Sequence, residues 1–305
     1  MRLTITPRRV FLLAFVVFLP GLAPSAYAWG KLGHETVAII AQHRLSPQAS
    51  KEVAKILGSS VTLAQISTCP DDIKRHPVFC AQDFNVKREH WTSGWHFINI
   101  PLKDSPTKNS LQAYCKKGTK TDNCVLDQIK EDLATLKDPK ASRYDKQLAL
   151  MFVVHFIGDV HQPLHCVNDN DGGGSAKKVW FMPTKRTKKP MNLHHLWDNI
   201  IEKDSAIRKV SPDSLATTLE KDMKRRDVGS WLKADIGDMV LESFGIAKGT
   251  IYPSYVKDGN RLGAEYQKKM QPIAYERIEK AGVRLAKILN DAFSSSAGVQ
   301  KGKRN

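Results

Sequence analysis

The chain has no Asn-x-Ser/Thr acceptor, no internal repeat and no segment that reads as an interdomain linker. It offers no N-glycan attachment point, which suits a bacterial-type exported protein, and no repeat architecture. Long apolar runs are also missing. The run at positions 10–19 is shorter than the roughly 20 residues of a spanning helix, and Pro20 and Pro24 break the stretch after it. With Arg8 and Arg9 before it and Ala26-Tyr27-Ala28 after it, this run reads as an export signal cleaved before Trp29. Nothing else in the chain is a candidate membrane span, so the cleaved protein is expected to be secreted or periplasmic, without an anchor.

Cysteine is scarce and odd in number: Cys69, Cys80, Cys115, Cys124 and Cys166. Cys115 and Cys124 close a short loop and are the expected pair. Cys69, Cys80 and Cys166 compete for a second bridge, which leaves one thiol over. Acids are under-represented too, with 31 Asp and Glu against 47 Lys and Arg. Removing a leader that carries Arg2, Arg8 and Arg9 and no acid leaves +13 of the formal +16. Such a surplus favours polyanionic partners, nucleic acid or anionic lipid head groups, although simple solubility is the plainer reading of charge alone.

Helical signals dominate what is present. Val37, Ile40 and Ala41 recur at helical spacing, and Ser46-Pro47 opens a second helix through Val53 and Ile56 to Gly58. Positions 68–110 read as loops and short irregular segments. Helices resume near 125–136 and from about Tyr144 to Asp159, where Leu148, Met151, Phe152 and His155 share a face before Pro163 interrupts. A Gly- and Asp-rich loop comes next at 168–175, then a basic stretch at 177–189 that reads as a hairpin or an exposed loop. Another helix starts at Asn192 and is expected to reach Ile201. Positions 211–246 and 263–293 are helical in pattern. The expected organisation is a leader at 1–28, one mainly α domain at 29–293 with long loops and at most a short β-hairpin, and a basic tail at 294–305.

The chemistry concentrates in His155-Phe-Ile-Gly-Asp159-Val-His161-Gln-Pro-Leu-His165. Residues four apart on a helix are about 40° apart in projection, so His155 and Asp159 present an imidazole and a carboxylate to one ion. His161, rotated about 200° from Asp159, points away and is expected to orient a ligand through a hydrogen bond or to serve the structure. His165 lies beyond the Pro163 break and is free to serve another metal. Asn192-Leu-His194-His195-Leu-Trp-Asp198 repeats the logic: His194 (i, i+4) and His195 (i, i+3) both share a face with Asp198, and spacing does not choose between them. Trp29-Gly-Lys-Leu-Gly-His34, Cys69-Pro-Asp71-Asp72-Ile-Lys74 and Trp95-His96-Phe97 add nitrogen and oxygen donors. Taken singly, such residues are ordinary surface or core groups.

Together, in order, these segments resemble the type I nuclease family, the single-strand-specific zinc nucleases of fungi and plants, whose fold is shared with zinc-dependent phospholipase C. The resemblance covers most of positions 29–200. It implies three zinc ions: one on Asp71, His96, His155 and Asp159, a second on His165, His194 and Asp198, and a third on the Trp29 amine and carbonyl, His34 and a bridging Asp159. By the same resemblance His194 is chosen over His195. It further implies in-line attack of an activated water on phosphorus, with Asp71 orienting the nucleophile and Lys74 neutralising the phosphate. Phe97 is implied to stack on a base and Asn199 to contact one, although Phe97 as core packing is the plainer alternative. Asn99 departs from the family, which commonly has Asp there, so the resemblance implies no particular base preference. The products implied are 5′-phosphates from single-stranded DNA and RNA, with 3′-nucleotidase activity alongside; a monomer is expected.

Two rival readings remain at this point. A zinc phospholipase C would share the fold, but that family usually closes its last ligand pair with Glu where this chain has Asp198. A basic, non-catalytic nucleic-acid binder would use its metal structurally, and structural zinc sites are closed four-ligand sets usually rich in cysteine, unlike this His and Asp assortment. The loop at 168–175 carries acids and glycines but no full EF-hand spacing. The basic run at 177–189 reads as a solvated face that could also guide phosphates to the site.

Overall fold

The computed structural model describes residues 29–73, 78–79, 85–86, 90–115, 124–182, 190–203, 209–258 and 260–294. The leader, Lys74, Cys80, the basic stretch 183–189 and the tail beyond Ser294 lie outside the described residues.

The helices are α1 (Lys31–Gln42), α2 (Pro47–Leu57), α3 (Leu63–Ile66), α4 (Cys69–Ile73), α5 (Val125–Lys137), α6 (Arg143–Asp159), α7 (Leu193–Asp198), α8 (Pro212–Met223), α9 (Val228–Trp231), α10 (Ile236–Ile246), α11 (Tyr252–Asp258) and α12 (Ala264–Ser294). Several start where the sequence supplies a cap. Ser46 and Ser211 accept the amides of Ala49 and Ser214 ahead of Pro47 and Pro212, and Ser142 accepts that of Asp145. Each such cap satisfies one of the amide donors that a helix start leaves unpaired. The loop region expected at 68–110 contains α4, a two-residue pairing of β1 (Val78–Phe79) with β2 (Asn85–Val86), and 3-10 turns at His90–His96 and Lys108–Tyr114.

Mainly α architecture is what the structure shows. The hairpin at the basic stretch pairs β3 (Lys178–Met182) with β4 (Met191–Asn192), and a third short strand, β5 (Arg261–Gly263), joins β3 in parallel. Val179 and Phe181 turn inward and alternate with less buried neighbours, the period-two pattern of a half-covered strand. Helix α7 stops at Asp198 rather than Ile201, because the Asn199 amide turns back to the Leu196 and Trp197 carbonyls.

Helix α6 occupies the centre. From Ala149 to Asp159 every residue is buried, as expected of a helix packed on all sides. Helix α12 runs along α1, and Gly282 permits the approach: a Cβ there would lie 2.5 Å from Ile40 Cγ2. From the same helix two buried arginines reach toward the turn after α6. Arg277 donates to the His161 carbonyl at 3.1 Å and to Glu242 at 2.6 Å, while Arg284 donates to Glu242 at 2.7 Å through two of its nitrogens. Glu242 of α10 thus binds both guanidinium groups, and the segment between Asp159 and His165 is held from behind.

The Cys115–Cys124 disulfide is present. Cys166 is a free, fully buried thiol that burial pushes up to about 12.

Candidate metal centre

Helix α6 delivers His155 and Asp159 one turn apart, with His155 Nε2 at 3.3 Å from Asp159 Oδ2. His96, at the end of its 3-10 turn, brings Nδ1 to 2.9 Å from the same Oδ2 and 3.1 Å from His155 Nε2. Asp71 of α4 points its Oδ1 at these rings, 3.8 Å from His96 Nδ1 and 3.7 Å from His155 Nε2. The other oxygen of Asp159 faces elsewhere: Oδ1 lies 3.4 Å from Nε2 of His34 on α1. His34 in turn stacks on His155, with ring centroids 4.1 Å apart. One carboxylate therefore looks toward nitrogens on two sides, and His34 also lies with Asp71 and His155 in a ligand set of its own.

A second group forms where the 3-10 turn Pro163–Cys166 meets α7. His165 Nε2 and His194 Nε2 approach to 3.1 Å, and Asp198 Oδ1 stands 3.7 Å from His194 Nε2. Asn192 caps α7 by accepting the His195 amide at 2.6 Å, which sets the helix rotation that turns His194 inward and leaves His195 exposed.

Backbone carbonyls decide which ring nitrogens face these centres. His155 Nδ1 donates to Ser67 O at 2.7 Å, His165 Nδ1 to His96 O at 2.8 Å and His194 Nδ1 to Gly173 O at 2.8 Å. A carbonyl can only accept, so each Nδ1 carries the proton and each neutral Nε2 presents a lone pair. Two lone pairs facing each other at the separation of His165 and His194 repel unless a cation lies with them. Asp159 and Asp198 are fully buried carboxylates beside these rings, and buried anions need a compensating charge. Imidazole nitrogens with carboxylate oxygens form a donor set suited to zinc. The residues present fit such an ion. Cys115 and Cys124 lie near Asp127, but their sulfurs are spent in the disulfide.

Trp29 is fully buried at the edge of the first group. A Cβ on Gly33 would lie 2.6 Å from Trp29 Cβ, and one on Gly158 would lie 3.9 Å from Trp29 Cδ1. Phe97 is half-buried, its ring centroid 4.7 Å from that of His165 and 6.0 Å from that of His194. Asn199 donates to the His195 carbonyl at 2.9 Å and packs against Gly30, where a Cβ would come within 2.7 Å of its Oδ1. Asn99 is exposed.

His161 does not orient any of these ligands. Its Nδ1 donates to Ile157 O at 2.7 Å, and its Nε2 accepts from Arg284 at 3.0 Å. Burial first, then the Arg277 and Arg284 charges, pushes its pKa well below the usual value, so it stays a neutral acceptor. The orienting contact comes from a neighbour that spacing does not single out. Gln162 donates to Asp198 Oδ1 at 2.7 Å while its own oxygen accepts the Leu164 amide at 2.6 Å. Gly158 is likewise no part of the sequence-predicted site. A glycine inside a helix costs about 1 kcal/mol relative to alanine, and that cost is the available signal of a packing demand.

The S1/P1 Nuclease family profile matches residues 29–294. Among curated relatives, Endonuclease 2 of Arabidopsis thaliana is 33% identical, over 93% of this chain and 97% of its own length. Nuclease S1 of Aspergillus oryzae (strain ATCC 42149 / RIB 40) is 31% identical, over 88% of this chain and 93% of its own. Nuclease P1 of Penicillium citrinum is 27% identical, over 88% of this chain and 98% of its own.

Proposed function

The chain belongs to the S1/P1 nuclease family and is an endonuclease, a phosphodiester hydrolase, and from that premise we propose that it cleaves single-stranded DNA and RNA at a three-zinc centre. The observation that carries this reading is the two-sided Asp159, whose Oδ2 faces His96 and His155 while Oδ1 faces His34. The proposed holders are Asp71, His96, His155 and Asp159 for one ion, and His165, His194 and Asp198 for a second. His34, Asp159 and the Trp29 amine and carbonyl would hold the third. Zinc at such a centre would supply a water acidified toward neutral pH and a Lewis acid beside the departing 3′-oxygen.

The chain's own residues do the rest. Asp71 would accept a hydrogen bond from the attacking water and hold it in line with the scissile bond. Lys74 would neutralise charge growing on the phosphate. Phe97, half-buried beside His165, would offer a face for base stacking, which a duplex cannot easily meet, and Asn199 would add an amide contact. Products would carry 5′-phosphates, and 3′-nucleotidase action would follow from the same attack on a terminal phosphate. Export fits the arrangement, because cleavage before Trp29 would turn an amide nitrogen without a usable lone pair into an amine able to ligate.

The test incubates mature protein with single-stranded DNA, RNA and phosphatidylcholine vesicles, with and without a chelator. Chelator-sensitive nucleotide release is expected; phosphocholine release without nucleotide release would establish a phospholipase instead, and chelator-insensitive binding without products a mere binder. Asp159→Ala should lose activity and bound zinc together, and retention of both would remove its bridging role.

A further inference from the structure

His194 takes its orientation from a loop that has no secondary structure of its own. The Gly173 carbonyl that holds its Nδ1 lies among three consecutive glycines at positive φ, Gly172 at 62°, Gly173 at 60° and Gly174 at 86°. Only glycine takes up this conformation at little cost, and a Cβ on Gly173 would in addition strike the Leu164 carbonyl at 2.3 Å. Such a segment is permissive by nature, so its position must be imposed by bonds to its surroundings. Asn168 supplies part of this, accepting the amides of Asp171 and Gly172 on its Oδ1 at 3.1 and 3.0 Å. Those bonds are local and close the loop on itself.

The start of the loop is anchored by the Asn168 amide, which donates to the Ile100 carbonyl at 2.8 Å, and the side-chain tie nearer the glycines is Tyr252. This buried residue begins α11, about eighty positions downstream in sequence, and its hydroxyl lies 3.0 Å from both carboxylate oxygens of Asp171. Lys177 adds a positive charge 3.4 Å from Asp171, and the same ammonium lies over the Tyr252 and Tyr255 rings at 5.3 and 5.5 Å. The Asp171 carboxylate, acidic and in a Gly-rich loop, is thus engaged by a hydroxyl donor and an ammonium. Burial, followed by Asp171 itself, pushes the Tyr252 hydroxyl well above its ordinary pKa, so it donates throughout the working range.

We propose that Tyr252 is a positioning residue for the second metal group: through Asp171 it fixes the loop so that the Gly173 carbonyl holds His194 Nε2 against His165 and Asp198. The inference rests on the reading of His194 as a zinc ligand. Partners that orient a metal-bound imidazole through its far nitrogen typically change metal affinity by 10–100-fold when removed. Tyr252 acts one link further out, and its carboxylate acceptor makes the bond charge-assisted and hence stronger than a neutral one.

The experiment uses full mature protein bearing Tyr252→Phe, Asp171→Ala, both together, or His194→Ala. Zinc retention is titrated against a chromogenic chelator, and the cobalt-substituted forms are compared by visible absorption. Tyr252→Phe should weaken one ion by roughly tenfold or more and shift the cobalt bands, over and above the loss of metal-free thermal stability that the missing hydrogen bond itself brings. Asp171→Ala should reproduce the loss, and the double variant should add nothing to it. Asp171→Asn, which keeps an acceptor for the hydroxyl, should recover most of the affinity. Wild-type affinity and bands in Tyr252→Phe would overturn the proposal, as would a loss confined to metal-free stability or additive losses in the double variant. Should Tyr252→Phe fail to fold, equal affinity in Asp171→Ala and wild type would overturn it alone. A full metal complement in His194→Ala would instead sink the reading of His194 as a ligand, an outcome visible separately.

Discussion

Gly158 of α6 and His34 of α1 approach so closely that a Cβ on Gly158 would stand 2.8 Å from His34 Nδ1 and 2.9 Å from Cε1. The ring that faces Asp159 Oδ1 is therefore seated on a bare stretch of helix. Gly158→Ala gains helix propensity but pushes on that ring, an overpacking that typically costs about 1–3 kcal/mol. The variant should fold, bind less zinc than wild type and lose most of its activity. Metal analysis of the purified protein checks this, and a full zinc content would show that His34 can shift without consequence.

Trp29 is buried against Gly33 and Gly158, at the edge of the first group. A mature protein with even one extra residue before Trp29 should bind less zinc and cut poorly, because its nitrogen there is an amide. Side-by-side metal content and nuclease rates decide; equal values would refute a ligand role for the terminal amine.

Phe97 is half-buried beside the His165 ring, and its loss should be felt by substrate more than by the fold. Base stacking on an aromatic is worth about 1–3 kcal/mol per base. Phe97→Ala should raise KM for single-stranded DNA accordingly, with Phe97→Tyr near wild type. A KM unchanged in Phe97→Ala would return the ring to core packing.

Glu242 holds Arg277 and Arg284 together behind the site. Burial alone would raise its carboxyl, but Arg284 and Arg277 bring it from 4.5 down to about 2. A depressed folded-state value means that the stabilisation is complete above the unfolded value and is lost as pH falls through the folded one. Wild type should thus exceed Glu242→Gln in stability above about pH 4.5, with the gap closing toward pH 2. Denaturant unfolding at pH 7 and pH 3 measures it, and a gap independent of pH would exclude this linkage.

The local parts of the site were legible because helix geometry is local. Four-residue spacing put His155 beside Asp159 and His194 beside Asp198, and Pro163 marked the break that releases His165. The same argument left His194 and His195 equal, since both share a face with Asp198. For His161 it left a ligand-orienting and a structural role open, and the Arg284 contact of its Nε2 selects the structural one. Caps such as Ser46-Pro47 were readable for the same reason: each is satisfied within one turn.

Sequence by itself determined that His155 with Asp159 and His194 or His195 with Asp198 share helix faces, because that property depends on neighbours a few positions away. The family resemblance pointed to His194 and to an Asp159 shared with His34, and tertiary structure supplied the geometry: Asp159 turns one oxygen to His96 and His155 and the other to His34, and Asn192-capped α7 buries His194. Tertiary structure also chose the carbonyls of Ser67, His96 and Gly173 to set the imidazole protons. Spacing has no signature for a backbone oxygen contributed from 21, 69 or 88 residues away, since such contacts arise only when separate helices pack around one buried centre.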